Sequence, residues 1–228
     1  MSTIRFNREA LLHFYDDRNT KHFESLNPKG HVSGITGMIG EALMIGLLCN
    51  QLTEHCGYKN VKVLDNQPKE HGRQGKRLDA WIAASAQRTL FQVEVKNWCA
   101  HSRGGHNLAA NADDDAHRAR AMARWKEYFG SEGTIPKQAG KILLDYPTPS
   151  TYQGWKIERV LCFWDAIAEN GTDVVSRTTA DDKPLLVFSG SNFLRALPKR
   201  NRFVSINSQS LDHRLRLLQR LCQLSPAR

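Results

Sequence analysis

Three side chains carry most of the chemistry that can be read from this chain. Asp79 follows Leu78, and after fourteen intervening residues come Glu94, Val95 and Lys96. Two carboxylates and an ammonium group at the ends of neighbouring strands can hold a divalent cation and activate water against a phosphodiester. The stretch 89–96, Thr-Leu-Phe-Gln-Val-Glu-Val-Lys, alternates with period two. Phe91, Val93 and Val95 face one way and Gln92, Glu94 and Lys96 the other. Glu94 and Lys96 therefore share a face, roughly 6–7 Å apart by rise along the strand. Residues 77–84 form a second β-prone run, and the polar link Ser85-Ala86-Gln87-Arg88 suits a hairpin turn. Folding the hairpin returns Asp79 to the side of Glu94. Aspartate is depleted in strands, so its presence at the head of an apolar run asks for a reason. Hard oxygen ligands are what Mg²⁺ or Mn²⁺ requires, and the backbone carbonyl of Val95 adds a candidate third donor. Lys96 is placed to polarise a water or to stabilise charge on a phosphate. The plain alternative is a Glu–Lys pair on a solvated strand face, worth about 0–1 kcal/mol. Gln92 is read either as orienting a ligand or as a surface glutamine.

Those residues need elements to position them. A helix capped by Ser33 or Thr36 and running to about Leu52 is predicted upstream, after a loop over residues 18–33. Glu41 is its only acidic or basic side chain between Val32 and Thr53. A charge in so apolar a helix is costly unless it meets a partner, a metal or a solvated cleft. Tyr58 to Leu64 reads as a strand, residues 113–129 as a helix, and Glu158 to Ile167 as a buried strand. The order helix, three strands, helix, strand predicts an α/β protein with a mixed central β-sheet flanked by helices.

The Asp79…Glu94-Val95-Lys96 pattern in this setting resembles the PD-(D/E)XK nuclease superfamily, with its restriction-endonuclease-like αβββαβ core. Leu78 stands where the family's eponymous proline would be, a position that does no chemistry. Gln92 matches the Gln-x-Glu-x-Lys variant of the motif. The likeness covers roughly residues 34–98. It implies Asp79 and Glu94 as metal ligands, Glu41 as the supporting helix carboxylate, Lys96 as the group assisting the nucleophile, and Mg²⁺ or Mn²⁺ as cofactor. It further implies a nuclease, in this compact form a DNA endonuclease in a restriction or phage-defence setting, with a homodimer or a protein partner among the family's habits. The alternative is a catalytically inactive nucleic-acid-binding module, or a subunit of a larger nucleic-acid-processing complex.

Composition bears on the partner. The chain has 228 residues, the length of one domain, here 1–228, with a catalytic core at about 34–165 completed by strands and a helix over 184–224. Its formal charge of +9 favours an anionic partner, most simply nucleic acid, and the resemblance implies DNA before RNA. Arg103 and His106 lie in a Gly- and His-rich loop just after the motif strand. They read equally as phosphate or proton contacts and as a surface loop. Arg120 and Arg124 share a face of the predicted 113–129 helix, and Arg195, Lys199, Arg200 and Arg202 form a further basic patch. Arg214, Arg216 and Arg220 add another on a predicted closing helix striped by Leu211, Leu215, Leu218 and Cys222.

Five cysteines without CxxC pairing argue against a disulfide framework and for a reducing, cytoplasmic setting. The most apolar run, Gly34 to Cys49, is short for a membrane span and holds Glu41, so no membrane segment is expected. Asn7 is the expected cap of an N-terminal helix over 7–17. Further strands are expected at Pro184 to Ser189 and Phe203 to Ile206.

Overall fold

A computed structural model describes residues 3–16, 29–64, 78–96, 119, 142, 144–164, 174–178 and 184–223. Its centre is a six-stranded mixed sheet in the order β2-β3-β4-β5-β7-β6. The strands are β2 (Val61–Val63), β3 (Ala80–Ala84), β4 (Thr89–Lys96), β5 (Lys156–Phe163), β6 (Val174–Thr178) and β7 (Pro184–Ser189). β2, β3 and β4 pair antiparallel, while β4–β5 and β5–β7 pair parallel. β6 closes the far edge antiparallel to β7. A separate two-stranded ribbon joins β1 (Thr3–Asn7) to β8 (Phe203–Asn207), the first strand of the chain to its last.

Four helices accompany these strands among the described residues: α1 (Arg8–Asp16), α2 (Lys29–Asn50), α3 (Gly190–Ala196) and α4 (Gln209–Gln223). One face of the sheet, formed by Ala80, Ile82, Ala84, Phe91, Val93, Val95, Val160, Cys162 and Phe188, packs against α2 residues 42–48 and Leu52. Phe193 of α3, Val204 and Ile206 of β8 and Leu211 of α4 extend the same core. The other face buries a smaller cluster of Leu78, Trp81, Ala83, Leu90 and Tyr146. Covering a sheet on both faces explains why its central strands hold few exposed side chains.

The expected α1 is present, and the Asn7 carboxamide oxygen accepts from the Ala10 backbone N–H at 3.0 Å, the bond of an N-cap. The hairpin link folds as a 3-10 turn, Ser85–Gln87, closed by Arg88 in the left-handed region at φ 48°. β7 runs from Pro184 to Ser189 as expected, and β8 from Phe203 to Asn207, one residue past its expected end.

Other boundaries move. α2 begins at Lys29, inside the expected loop, directly after Pro28. Proline is tolerated at a helix entry because no N–H is needed there, and once a helix has nucleated each added turn is cheap. At its other end α2 passes into one π-helical turn, Gln51–His55. β2 is only three residues long. β1, β6 and α3 are not among the elements the sequence suggests. The expected 113–129 helix lies outside the described residues apart from Ala119, which is helical.

α2 and β8 touch closely at one point. A Cβ added to Gly46 would stand 2.2 Å from Cγ2 of Ile206, so only glycine permits this crossing. The carboxamide of Asn50 donates to the Ser205 carbonyl at 2.8 Å, a second tie between helix and ribbon. Among the described residues no helix is long and apolar enough to cross a membrane.

Candidate active site

The register of the hairpin sets the site. The β3–β4 ladder begins at the Ala80–Val93 pair, and Asp79 stands in the bend just before it. Its carboxylate oxygen Oδ2 accepts from the Val95 backbone N–H at 2.6 Å. Glu94 and Lys96 share a side of β4 by alternation, and Asp79 meets the strand between them at the Val95 backbone. The Lys96 ammonium donates to Glu94 Oε1 at 2.5 Å. Asp79 is thus bonded to the backbone of β4 next to Glu94, and Lys96 to the Glu94 carboxylate.

The setting is drier than a surface pair. Glu94 is fully buried and the Lys96 side chain is only 16 % exposed, which removes the solvated-face reading of the motif. A carboxylate out of water is costly unless a cation and hydrogen bonds meet it, and Lys96 supplies the cation. A neighbouring thiol registers the same negative charge. Burial pushes Cys162 well above its ordinary value, and Asp79, Cys49 and Glu94 push in the same direction. Cys162 pairs with Val95 in the β4–β5 ladder, so the field of both carboxylates converges on this rung. Cys49, Cys56 and Cys162 are not joined in disulfides among the described residues.

Gln92 shares the face but not an open position. It is buried, and its amide nitrogen donates to the carbonyls of Ile142 and Leu144 at 2.9 and 3.1 Å. This ties a connecting segment across the sheet beside Glu94. Arg159 is a charged neighbour that the sequence reading passed over. It lies opposite Gln92 on β5 and reaches Asp145 at 3.0 Å. The available signal was an arginine standing at the entrance to the apolar run Val160 to Trp164.

Glu41 is not brought to this corner. α2 occupies the opposite face of the sheet from Gln92 and Glu94, and it uses residues 42–48 to fill the core. The Glu41 side chain stays 38 % exposed and faces Arg214 of α4 at 3.9 Å. Among the described residues no group of three or more His, Cys, Asp or Glu could hold a metal ion. The expected three-carboxylate arrangement thus reduces to the Asp79–Glu94 pair. Their hard oxygens, with the Val95 carbonyl, fit in kind a Mg²⁺ or Mn²⁺ ion that keeps several waters of its own.

Of the predicted nucleic-acid contacts, Lys199, Arg200 and Arg202 are exposed on the turn that leads into β8. Arg103, His106, Arg120 and Arg124 lie outside the described residues. Arg216 is engaged with Asp212 at 3.1 Å. Comparison with protein-family models, with curated proteins and with solved structures finds no match to this chain.

Proposed function

We propose that this chain is a metal-dependent nuclease that hydrolyses phosphodiester bonds in DNA, in the manner of the PD-(D/E)XK enzymes. The observation that carries the reading is the corner itself: Asp79 bound to the Val95 N–H, one residue along β4 from a buried Glu94 whose carboxylate holds the Lys96 ammonium. Two further features support it. The helix α2, the antiparallel β2–β3–β4 meander and the parallel β5 follow the order of an αβββαβ core. A parallel β4–β5 pair also demands a crossover between the strands, which is where the helix over 113–129 is expected. The net charge of +9 suits a polyanionic substrate.

Asp79 and Glu94, with the Val95 carbonyl, are the groups that would hold Mg²⁺ or Mn²⁺. When bound, such an ion acidifies a coordinated water and offsets charge on the departing oxygen. The Val95 N–H fixes the Asp79 carboxylate in place before any substrate arrives, and preorganisation of this kind lowers the cost of assembling a site. Lys96 is in contact with Glu94 and can pass from it to a phosphate oxygen. Gln92 positions rather than reacts, because its amide is committed to Ile142 and Leu144. A restriction or phage-defence setting, a cytoplasmic location and a homodimer or protein partner belong to the same proposal.

One observation favours the alternative, a catalytically inactive nucleic-acid-binding module: Glu41 faces Arg214 instead of the pair. Cleavage of supercoiled plasmid, linear duplex and single-stranded DNA and RNA with Mg²⁺ and with Mn²⁺ separates the two. The nuclease reading expects cutting by the parent and a loss on the order of 100-fold or more in Asp79→Asn and Lys96→Ala. Equal cutting by all three proteins, or none by the parent on any substrate, overturns it.

A further inference from the structure

The β1–β8 ribbon carries an outward face unlike the rest of the surface. The register pairs Thr3 with Asn207, Arg5 with Ser205 and Asn7 with Phe203, and all six are exposed. The alternate residues Ile4, Phe6, Val204 and Ile206 turn inward to the core. No carboxylate stands on the outward face. Phe203 is 49 % exposed, one of two large hydrophobic side chains left open among the described residues. The Arg5 guanidinium lies over its ring, 4.7 Å from the centroid. A cation against an open aromatic ring is a pairing of charge and π-face that a nucleic-acid strand can use, with a base on the ring and a phosphate on the cation.

The approach to the ribbon is equally one-sided. The turn before β8 holds Lys199, Arg200 and Arg202, all exposed, and no acid. It is braced from below. The Arg8 guanidinium donates to the carbonyls of Leu197 and Pro198 at 3.0 and 3.3 Å, and the Arg8 backbone N–H donates to the Arg202 carbonyl at 2.9 Å. The charge of Arg8 is met by Glu9 at 2.6 Å, so Arg8 serves as a strut. Three exposed cations, Lys199, Arg200 and Arg202, therefore lead into the strand that begins with Phe203, and a fourth, Arg5, lies against its ring.

We propose that this ribbon is a docking surface for single-stranded DNA, with a base stacked on Phe203 and the flanking phosphates on Arg5, Lys199, Arg200 and Arg202. The inference rests on the nuclease reading for the identity of the polymer, and adds to it where the strand is held and that it is unpaired. The ring selects the single strand because a base inside a duplex already has both faces covered by its neighbours. Stacking of this kind tolerates any base, and the phosphate contacts make it sensitive to salt.

The test is fluorescence anisotropy of the full chain in EDTA, with fluorescein-labelled (dT)20, an RNA of the same length and a 20-base-pair duplex as probes. The absence of metal makes the result independent of cleavage, so this proposal and the nuclease reading can fail separately. Tighter binding of (dT)20 than of duplex is expected. Phe203→Ala should weaken (dT)20 binding by about fivefold or more, and Phe203→Trp should retain it. The slope of log affinity against log salt should stay the same in Phe203→Ala. It should fall by about two in the triple variant Lys199→Ala, Arg200→Ala, Arg202→Ala. Thermal melts of each variant report whether the fold is kept, and an exposed Phe203 predicts that it is. Unchanged (dT)20 affinity in Phe203→Ala, equal weakening on duplex, or a preference for the RNA probe overturns the proposal.

Discussion

The β3–β4 corner and the β1–β8 ribbon are both antiparallel pairs with charged side chains on one face, yet they solve opposite problems. At the corner the polar face of β4 is buried: Glu94 has no exposed surface and Gln92 almost none. On the ribbon the polar face is open, and Arg5 and Phe203 stand in solvent. The same period-two pattern therefore means different things at the centre of a covered sheet and on a two-stranded edge. A buried charge must be matched inside the protein. An exposed one is matched by water, or by a partner.

The largest effect that tests this contrast is on stability. Lys96→Ala leaves the Glu94 carboxylate buried without its ammonium, and urea denaturation should show a loss of about 3 kcal/mol or more. A loss below about 0.5 kcal/mol would place Glu94 among solvated groups and erase the difference between the regions. Next in size is Gly46→Ala, which drives a methyl group into Ile206 and strains the contact between α2 and the ribbon. A cost of about 1–3 kcal/mol is expected, and a smaller cost when it is combined with Ile206→Ala, since the two changes share one space. Additive effects in that cycle would show that the ribbon does not dock where Gly46 allows it. The smallest effect is on the ribbon surface. Arg5→Ala and Lys199→Ala should each change stability by no more than about 0.5 kcal/mol, because neither is buried. A larger change in either would mean that the open face is part of the fold.

The local pattern made much of the corner legible. Alternation in 89–96 gave β4 its bounds and its two faces, and a four-residue polar link gave the hairpin, from which the neighbourhood of Asp79 and Glu94 follows by counting. Asn7 announced α1 because a cap acts within three residues. Glu41 was misleading. Its isolation in an apolar helix pointed to a reason for the charge, but the partner it faces, Arg214, lies 173 residues further on in the sequence. β1 was overlooked for the same cause. Five residues that alternate are weak evidence alone, and Thr3 finds its partner at Asn207.

The sequence alone determined the residue types, the periodicities and the short-range geometry, since these depend on backbone sterics and on side chains a few positions apart. That β4's polar face is covered, that Gln92 is committed to distant carbonyls and that the two ends of the chain pair into a basic, aromatic ribbon were decided only by the tertiary structure. Burial and long-range pairing arise when separate elements exclude water together, and no local stretch of chain contains that information.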